Sequence, residues 1–229
     1  MRQAPRIRGG LAIRVVVLFA GLTLFAAAIV SLLESGLGLA PWDVFHLGIA
    51  THSALTIGTA GIVVGLVVLV GAWALGHPPG FGTLANAIVI GALVDVFRAI
   101  DAVARLSQGS LPTRVVLLIL GIGLFGVASA LYIGAGLGAG PRDSLMLVLS
   151  RRTGVRIAVV RGAIEVTVVV TGALLGGTFG VGTIAVALLV GPSVEAGFWG
   201  LERTGLAVAV PVGNGVVPPS PLGGPDAVG

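Results

Sequence analysis

Cysteine and lysine are both absent from this chain of 229 residues, and charge of either sign is scarce. Without cysteine there is no disulfide and no thiolate metal site, and nothing marks the redox compartment. Only 10% of residues are charged, against about 25% in soluble domains, too few to cover a water-facing surface. The thirteen basic residues are all arginine and face nine acids. No aromatic-interleaved basic face accompanies them, which argues against nucleic acid as a partner. No zinc motif, Ser-His-acid set or phosphate loop is present. The expectation is a protein that is not an enzyme and holds no metal and no cofactor.

Apolar residues dominate instead, at 56% of the chain with a mean hydropathy of +1.11. Several runs reach the roughly 20 residues that cross a bilayer as helix. A β-barrel would alternate apolar and polar residues in short segments. The composition therefore predicts an all-α polytopic membrane protein. Apolar runs place spanning helices at 11–33, 55–75, 84–100, 115–133, 157–175 and 184–201. The first has the positive flank of a secretory signal, but it is longer than a signal core. It also has a later counterpart, because Gly21, Leu24, Phe25 and Ala28 return as Gly121, Leu124, Phe125 and Ala128.

That return belongs to an internal duplication. Gly36, Gly38, Pro41 and Asp43 form a glycine-proline-acid break, and Gly136, Gly138, Pro141 and Asp143 repeat it 100 positions on. Gly80, Gly82 and Thr83 likewise return as Gly180, Gly182 and Thr183. Matched apolar residues arise by chance in such a sequence; matched glycine turns do not. The organisation expected is a basic N-terminal tail (1–10), a three-helix repeat (11–103), a polar linker (104–114), a second three-helix repeat (115–202) and a disordered tail (203–229). Each repeat has its break after the first helix, with a short helix at 44–53 behind the first. Pro41 suits the first turn of that helix, where no amide hydrogen is missed.

Three spans per half would start the second half on the opposite side of the membrane, giving inverted repeats. Arginines at 2, 6, 8 and 14 and at 142, 151, 152 and 156 place the N-terminus and the second short-helix segment inside. Arg98, Arg105 and Arg114 then fall outside, against that rule. Trp42, Trp73, Tyr132 and Trp199 fall near helix ends, as interfacial aromatics do.

Inverted repeats with interrupted helices characterise many secondary transporters, with the site where the repeats meet. Asp43 and Asp143 would face such a site, or would merely cap the short helices behind their prolines. Arg161 and Glu165 share one face of the fifth span, and charges at that depth turn inward and pair. Their counterparts, Gly61 and Gly65, would leave room for the pair across the pseudo-two-fold axis. Glu165 is the leading candidate for substrate or ion coupling, followed by Arg161, Asp43 and Asp143. Asp95 is expected to bridge to Arg98, Glu195 to snorkel to the interface, and His46 to sit within reach of Asp43.

The string 36–45, Gly-Leu-Gly-x-x-Pro-Trp-Asp-Val-Phe, followed by Ile57-Gly58-Thr59-Ala60 and Gly80-Phe81-Gly82-Thr83, resembles the YczE/YyaS/YitT-type bacterial membrane proteins. Arg161, Glu165 and the run Gly180-Val181-Gly182-Thr183 continue the resemblance, which spans roughly 12–200 and departs at Ala54-Leu55. It implies a multi-pass protein of the bacterial cytoplasmic (inner) membrane, with the N-terminus cytoplasmic, and little about substrate. The functional expectation is a small-molecule secondary transporter or exporter. The alternative is a non-transporting scaffold or regulator that docks a partner on 142–156. Expected partners are the lipid bilayer and an unidentified small molecule, and a homodimer is compatible with the pattern.

Overall fold

A backbone surrounded by apolar side chains must satisfy its polar groups internally, and helix is the local way to do so. The computed structural model describes residues 5–208. Nine α-helices appear among them, together with a 3-10 turn and one pair of two-residue strands. Strand β1 is Arg6–Ile7, followed by α1 (Leu11–Ser35), α2 (Pro41–Thr51), α3 (Ile57–Ala74), α4 (Phe81–Arg98) and the short α5 (Asp101–Ala104). The 3-10 turn Arg105–Gln108 leads to α6 (Leu111–Ala135), α7 (Pro141–Thr153), α8 (Ile157–Leu174), α9 (Val181–Arg203) and strand β2 (Ala207–Val208). Helices α1, α3, α4, α6, α8 and α9 are long and apolar enough to cross a bilayer. The protein is a multi-pass membrane protein.

The element starts repeat 100 positions apart: Leu11 and Leu111, Pro41 and Pro141, Ile57 and Ile157, Phe81 and Val181. Helix α2 has 11 residues, a length of roughly 17 Å at 1.5 Å per residue, far short of a bilayer core. Prolines open α2 and α7 at their first turn. The fourth helix of each half starts at 81 and 181, three residues before the expected 84 and 184. Thr83 and Thr183 lie inside that first turn, and their Oγ1 atoms accept from the amides of Gly80 and Gly180.

Helices α1 and α6 form the centre. Gly21 lies against the backbone at Ala128 and Tyr132, and Gly121 lies against Leu32 and the Ala28 carbonyl. Small residues at a helix interface permit this close approach where no hydrophobic effect drives association. Leu18, Leu22 and Leu32 are fully buried there. The first and last of the described residues are more ordered than the sequence suggests. Residues 207–208, expected in a disordered tail, pair antiparallel with 6–7, and Ile7 and Ala207 are buried beside Leu201. Arg203, also placed in that tail, closes α9 instead, and residues 209–229 lie outside the described residues.

Candidate functional site

The two glycine breaks do not merely interrupt helices; each is gripped by the other half. Helix α1 ends on Gly36 at φ 59° and α6 on Gly136 at φ 61°, both left-handed, as glycine permits. Leu37 then offers its carbonyl to the Gly182 amide at 2.8 Å, and Leu137 offers its carbonyl to the Gly82 amide at 2.8 Å. The Leu39 amide donates to Thr183 Oγ1 at 3.1 Å. Gly38 and Gly138, both at φ 134°, leave no space for a Cβ against Thr183 and Thr83. Backbone groups that lipid could not satisfy are therefore answered across the halves.

Repeat-related arginines finish the same joints. Arg114 donates from Nε to the Ser35 carbonyl (2.7 Å) and from Nη2 to that of Gly36 (2.8 Å). Arg14 does the same to Ala135 (2.7 Å) and Gly136 (2.6 Å). These groups occupy the orphan carbonyls and negative dipole end of each long helix. Arg98 pairs with buried Glu34 at 3.7 Å. Two of the three arginines that break the positive-inside pattern thus have structural work at helix ends.

Between the halves lies a cavity of about 510 Å³, walled by α1, α3, α4, α6, α8, α9 and both breaks. Asp43, only 2% exposed, points its Oδ1 to His46 Nδ1 at 3.4 Å and to Arg142 Nη2 at 3.8 Å. The Arg142 guanidinium also stacks over the Trp42 ring, 5.0 Å from its centroid. Asp143 accepts from the Tyr132 hydroxyl at 2.9 Å. Arg161 Nε donates to Glu165 Oε1 at 2.8 Å. The structure thus brings all four candidate side chains, Glu165, Arg161, Asp43 and Asp143, to one cavity.

Several sequence expectations change. Asp43 and Asp143 do sit in the first turns of α2 and α7, where a carboxylate suits the helix dipole, but neither helix has a side-chain cap hydrogen bond, and both carboxylates turn to side-chain partners. Asp95 does not bridge to Arg98; it accepts from the Thr56 hydroxyl and the Gly58 amide, closing the start of α3. Gly61 makes room for His46, and Gly65 for Ala87, not for the Arg161–Glu165 pair. Trp42 and Tyr132 are buried at the cavity, while Trp73 and Trp199 stay exposed as interfacial residues would. Arg142, the first arginine of the expected docking segment, lines the cavity.

A family of unknown function, DUF6198, matches residues 12–197. The chain belongs to this family. It is 36% identical over 180 residues to the uncharacterized membrane protein YczE of Bacillus subtilis, covering 76% of this chain and 80% of the relative. An uncharacterized protein of Haemophilus influenzae is 37% identical over 161 residues, covering 70% and 72%. The uncharacterized protein YyaS of Bacillus subtilis is 25% identical over 196 residues, covering 81% and 96%. No solved structure matches significantly. The resemblance carried by the two breaks therefore holds.

Some of the site was hidden from the sequence. Tyr132 and Trp42 read as interfacial because position near a helix end was the only signal. Arg14 and Arg114 stand 100 positions apart in the same register, and that matching was the available clue to a shared task.

Proposed function

We propose that this protein is a small-molecule secondary transporter or exporter of the bacterial cytoplasmic membrane, built of two inverted three-helix repeats with its N-terminus inside. Three spans in each half turn the second half over, and the arginines of the N-terminal tail and of Arg151, Arg152 and Arg156 favour a common inner side. The short helices α2 and α7 line the site without crossing, as the broken helices of such transporters do. No enzymatic role is assigned.

One observation carries the transport reading: the two halves share their elements but pack differently around the cavity. Helix α3 packs along α4, whereas α8 and α9 have no comparable contact. Gly58 and Gly91 are buried back to back, with no room for a Cβ on either. Their counterparts, Ala158 and Gly191, are both exposed, and a Cβ on Gly191 would meet nothing within 4 Å. Arg161 and Glu195, which line the cavity, are exposed as well. One wall is shut and its repeat is open. A protein whose second wall closes, with the wider spacing that the Ala158 methyl requires, as the first one opens would expose one site to alternate sides. The scaffold alternative loses support because Arg142, the first arginine of its docking segment, serves the cavity.

Reporter fusions at Gly80 and Gly180 should report opposite sides of the membrane; the same side for both would end the inverted-repeat reading. Metabolite levels in cells with and without the protein should differ in one class of small solute. That difference should vanish with Asp43→Asn while folded protein stays in the membrane.

A further inference from the structure

The wall of the cavity carries an unbalanced charge. Asp43, Asp143, Glu165 and Glu195 face it, against Arg142 and Arg161. Four carboxylates and two guanidinium groups leave a formal excess of two negative charges, with His46 neutral. Both guanidinium groups are engaged: Arg161 with Glu165, and Arg142 with Asp43 and the Trp42 ring. The excess centres on Asp143, whose hydrogen-bond partner among the described residues is the uncharged Tyr132 hydroxyl, and on Glu195, and neither carboxylate has an ion-pair partner among those residues. Charge left uncompensated inside a membrane protein is costly and draws a counter-charge.

A second observation comes from the same wall. Asp43 Oδ2 and His46 Nε2 are shielded from solvent and have no hydrogen-bond partner. Buried polar atoms are almost always paired, so a bare carboxylate oxygen and ring nitrogen beside a cavity mark a missing polar group. A bare carboxylate oxygen calls for a donor.

The rest of the lining decides what kind of cation fits. Among the described residues no group of three or more His, Cys, Asp or Glu could hold a metal ion. The carboxylates are instead spread around apolar and aromatic walls: Phe25 lies 4.3 Å from Phe125 and 6.0 Å from Tyr132, centroid to centroid. Aromatic faces attract organic cations, and a cavity of this volume with mixed apolar and polar walls suits a small organic molecule that carries a charge.

We infer that the cavity binds an organic ammonium cation, its charge held at Asp143 and Glu195 and its apolar body against Phe25 and Phe125. This rests on the transport reading and names its substrate class. Binding also places a donor near the wall that holds Asp43, and it neutralises part of the excess charge before the cavity closes.

The test uses the full chain in lipid nanodiscs, with phenethylamine and benzyltrimethylammonium as cationic probes and benzoate as the anionic control. At least one cation should raise the melting temperature and bind saturably by calorimetry, and benzoate should do neither. Asp143→Asn should weaken cation binding by about tenfold or more, because a neutral amide leaves the ammonium without its counter-charge. Should that variant fail to fold, Glu195→Gln, at an exposed position, should weaken it severalfold. Binding of benzoate in place of the cations, absence of binding by both cations, or unchanged affinity in the folded carboxamide variants would overturn the inference. The transport reading is judged separately, by ligand-free cross-linking at positions 158 and 191.

Discussion

Gly58 of α3 and Gly91 of α4 lie back to back, each against the other's carbonyl. The contact holds one wall of the cavity shut, and the same two positions in the second half stand apart. Asp95 reinforces the closed wall by accepting from Thr56 and Gly58 at the start of α3. Its counterpart Glu195 makes no such bond among the described residues. The difference between the halves is thus local, and it can be attacked residue by residue.

Gly91→Ala forces a methyl group into the Gly58 carbonyl and should destabilise the protein by about 1–3 kcal/mol, the usual range for overpacking. Gly191→Ala meets open space and should leave the melting temperature unchanged or slightly raised, since alanine favours helix over glycine. Thermal unfolding of both variants in nanodiscs checks the contrast. Equal losses would mean that the two walls are packed alike.

The crossed joints should be expensive to break. Thr183 Oγ1 accepts from the amides of Leu39 and Gly180, so Thr183→Ala leaves a buried amide unpaired, at a cost of about 1–3 kcal/mol. Thr183→Ser keeps the oxygen and should recover most of the loss. Melting temperatures of the two variants measure the difference, and equal stability would deny the joint its role.

Arg114 and Arg14 should behave as a matched pair. Each places two charge-assisted donors on the last carbonyls of a long helix in the other half. Replacing either by glutamine should cost roughly 1.5–3 kcal/mol, in keeping with hydrogen bonds to charged groups. Lysine can supply charge but not the forked geometry, so it should restore only part. Chemical denaturation of the four variants gives the comparison.

Glu165 carries its charge differently. Its partner Arg161 is exposed and Glu165 is itself part-exposed, and both line the cavity, so on the transport reading the pair faces the hydrated solute path, where ion pairs add little to stability. Glu165→Gln should leave the melting temperature nearly unchanged while lowering cation affinity, because it removes one negative charge from the cavity. A large loss of stability instead would make the pair structural.

Much of the architecture was legible in the sequence, for identifiable reasons. Length and apolarity mark the six long helices. Gly36, Gly38 and Pro41 with their copies mark the breaks, because left-handed glycines and a first-turn proline have narrow backbone meanings. Side-chain direction was not legible. Asp43 could cap its helix or face the interior at the same sequence position, and only the docking of the halves chooses the interior. Likewise Arg98 lies three residues after Asp95, yet geometry hands it to Glu34 and hands Asp95 to the start of the preceding helix, α3. The contrast between the α3–α4 and α8–α9 walls has a partial counterpart in the sequence: Gly58, Gly61 and Gly65 of α3 give way to Ala158, Arg161 and Glu165 in α8, so the second wall cannot copy the close glycine contact of the first.

Because the chain has no cysteine of its own, paired cysteines test alternating closure most directly. Gly65 and Ala87 bring their β-positions to 3.5 Å across α3 and α4, within disulfide geometry, so Gly65→Cys with Ala87→Cys should link readily on oxidation. Ala158→Cys with Gly191→Cys should link too, through the alternate arrangement. In a chain carrying all four changes, each molecule should hold one link or the other but never both. Failure of the 158–191 pair to link within one chain, or both links together in single molecules, would contradict alternating closure of the cavity.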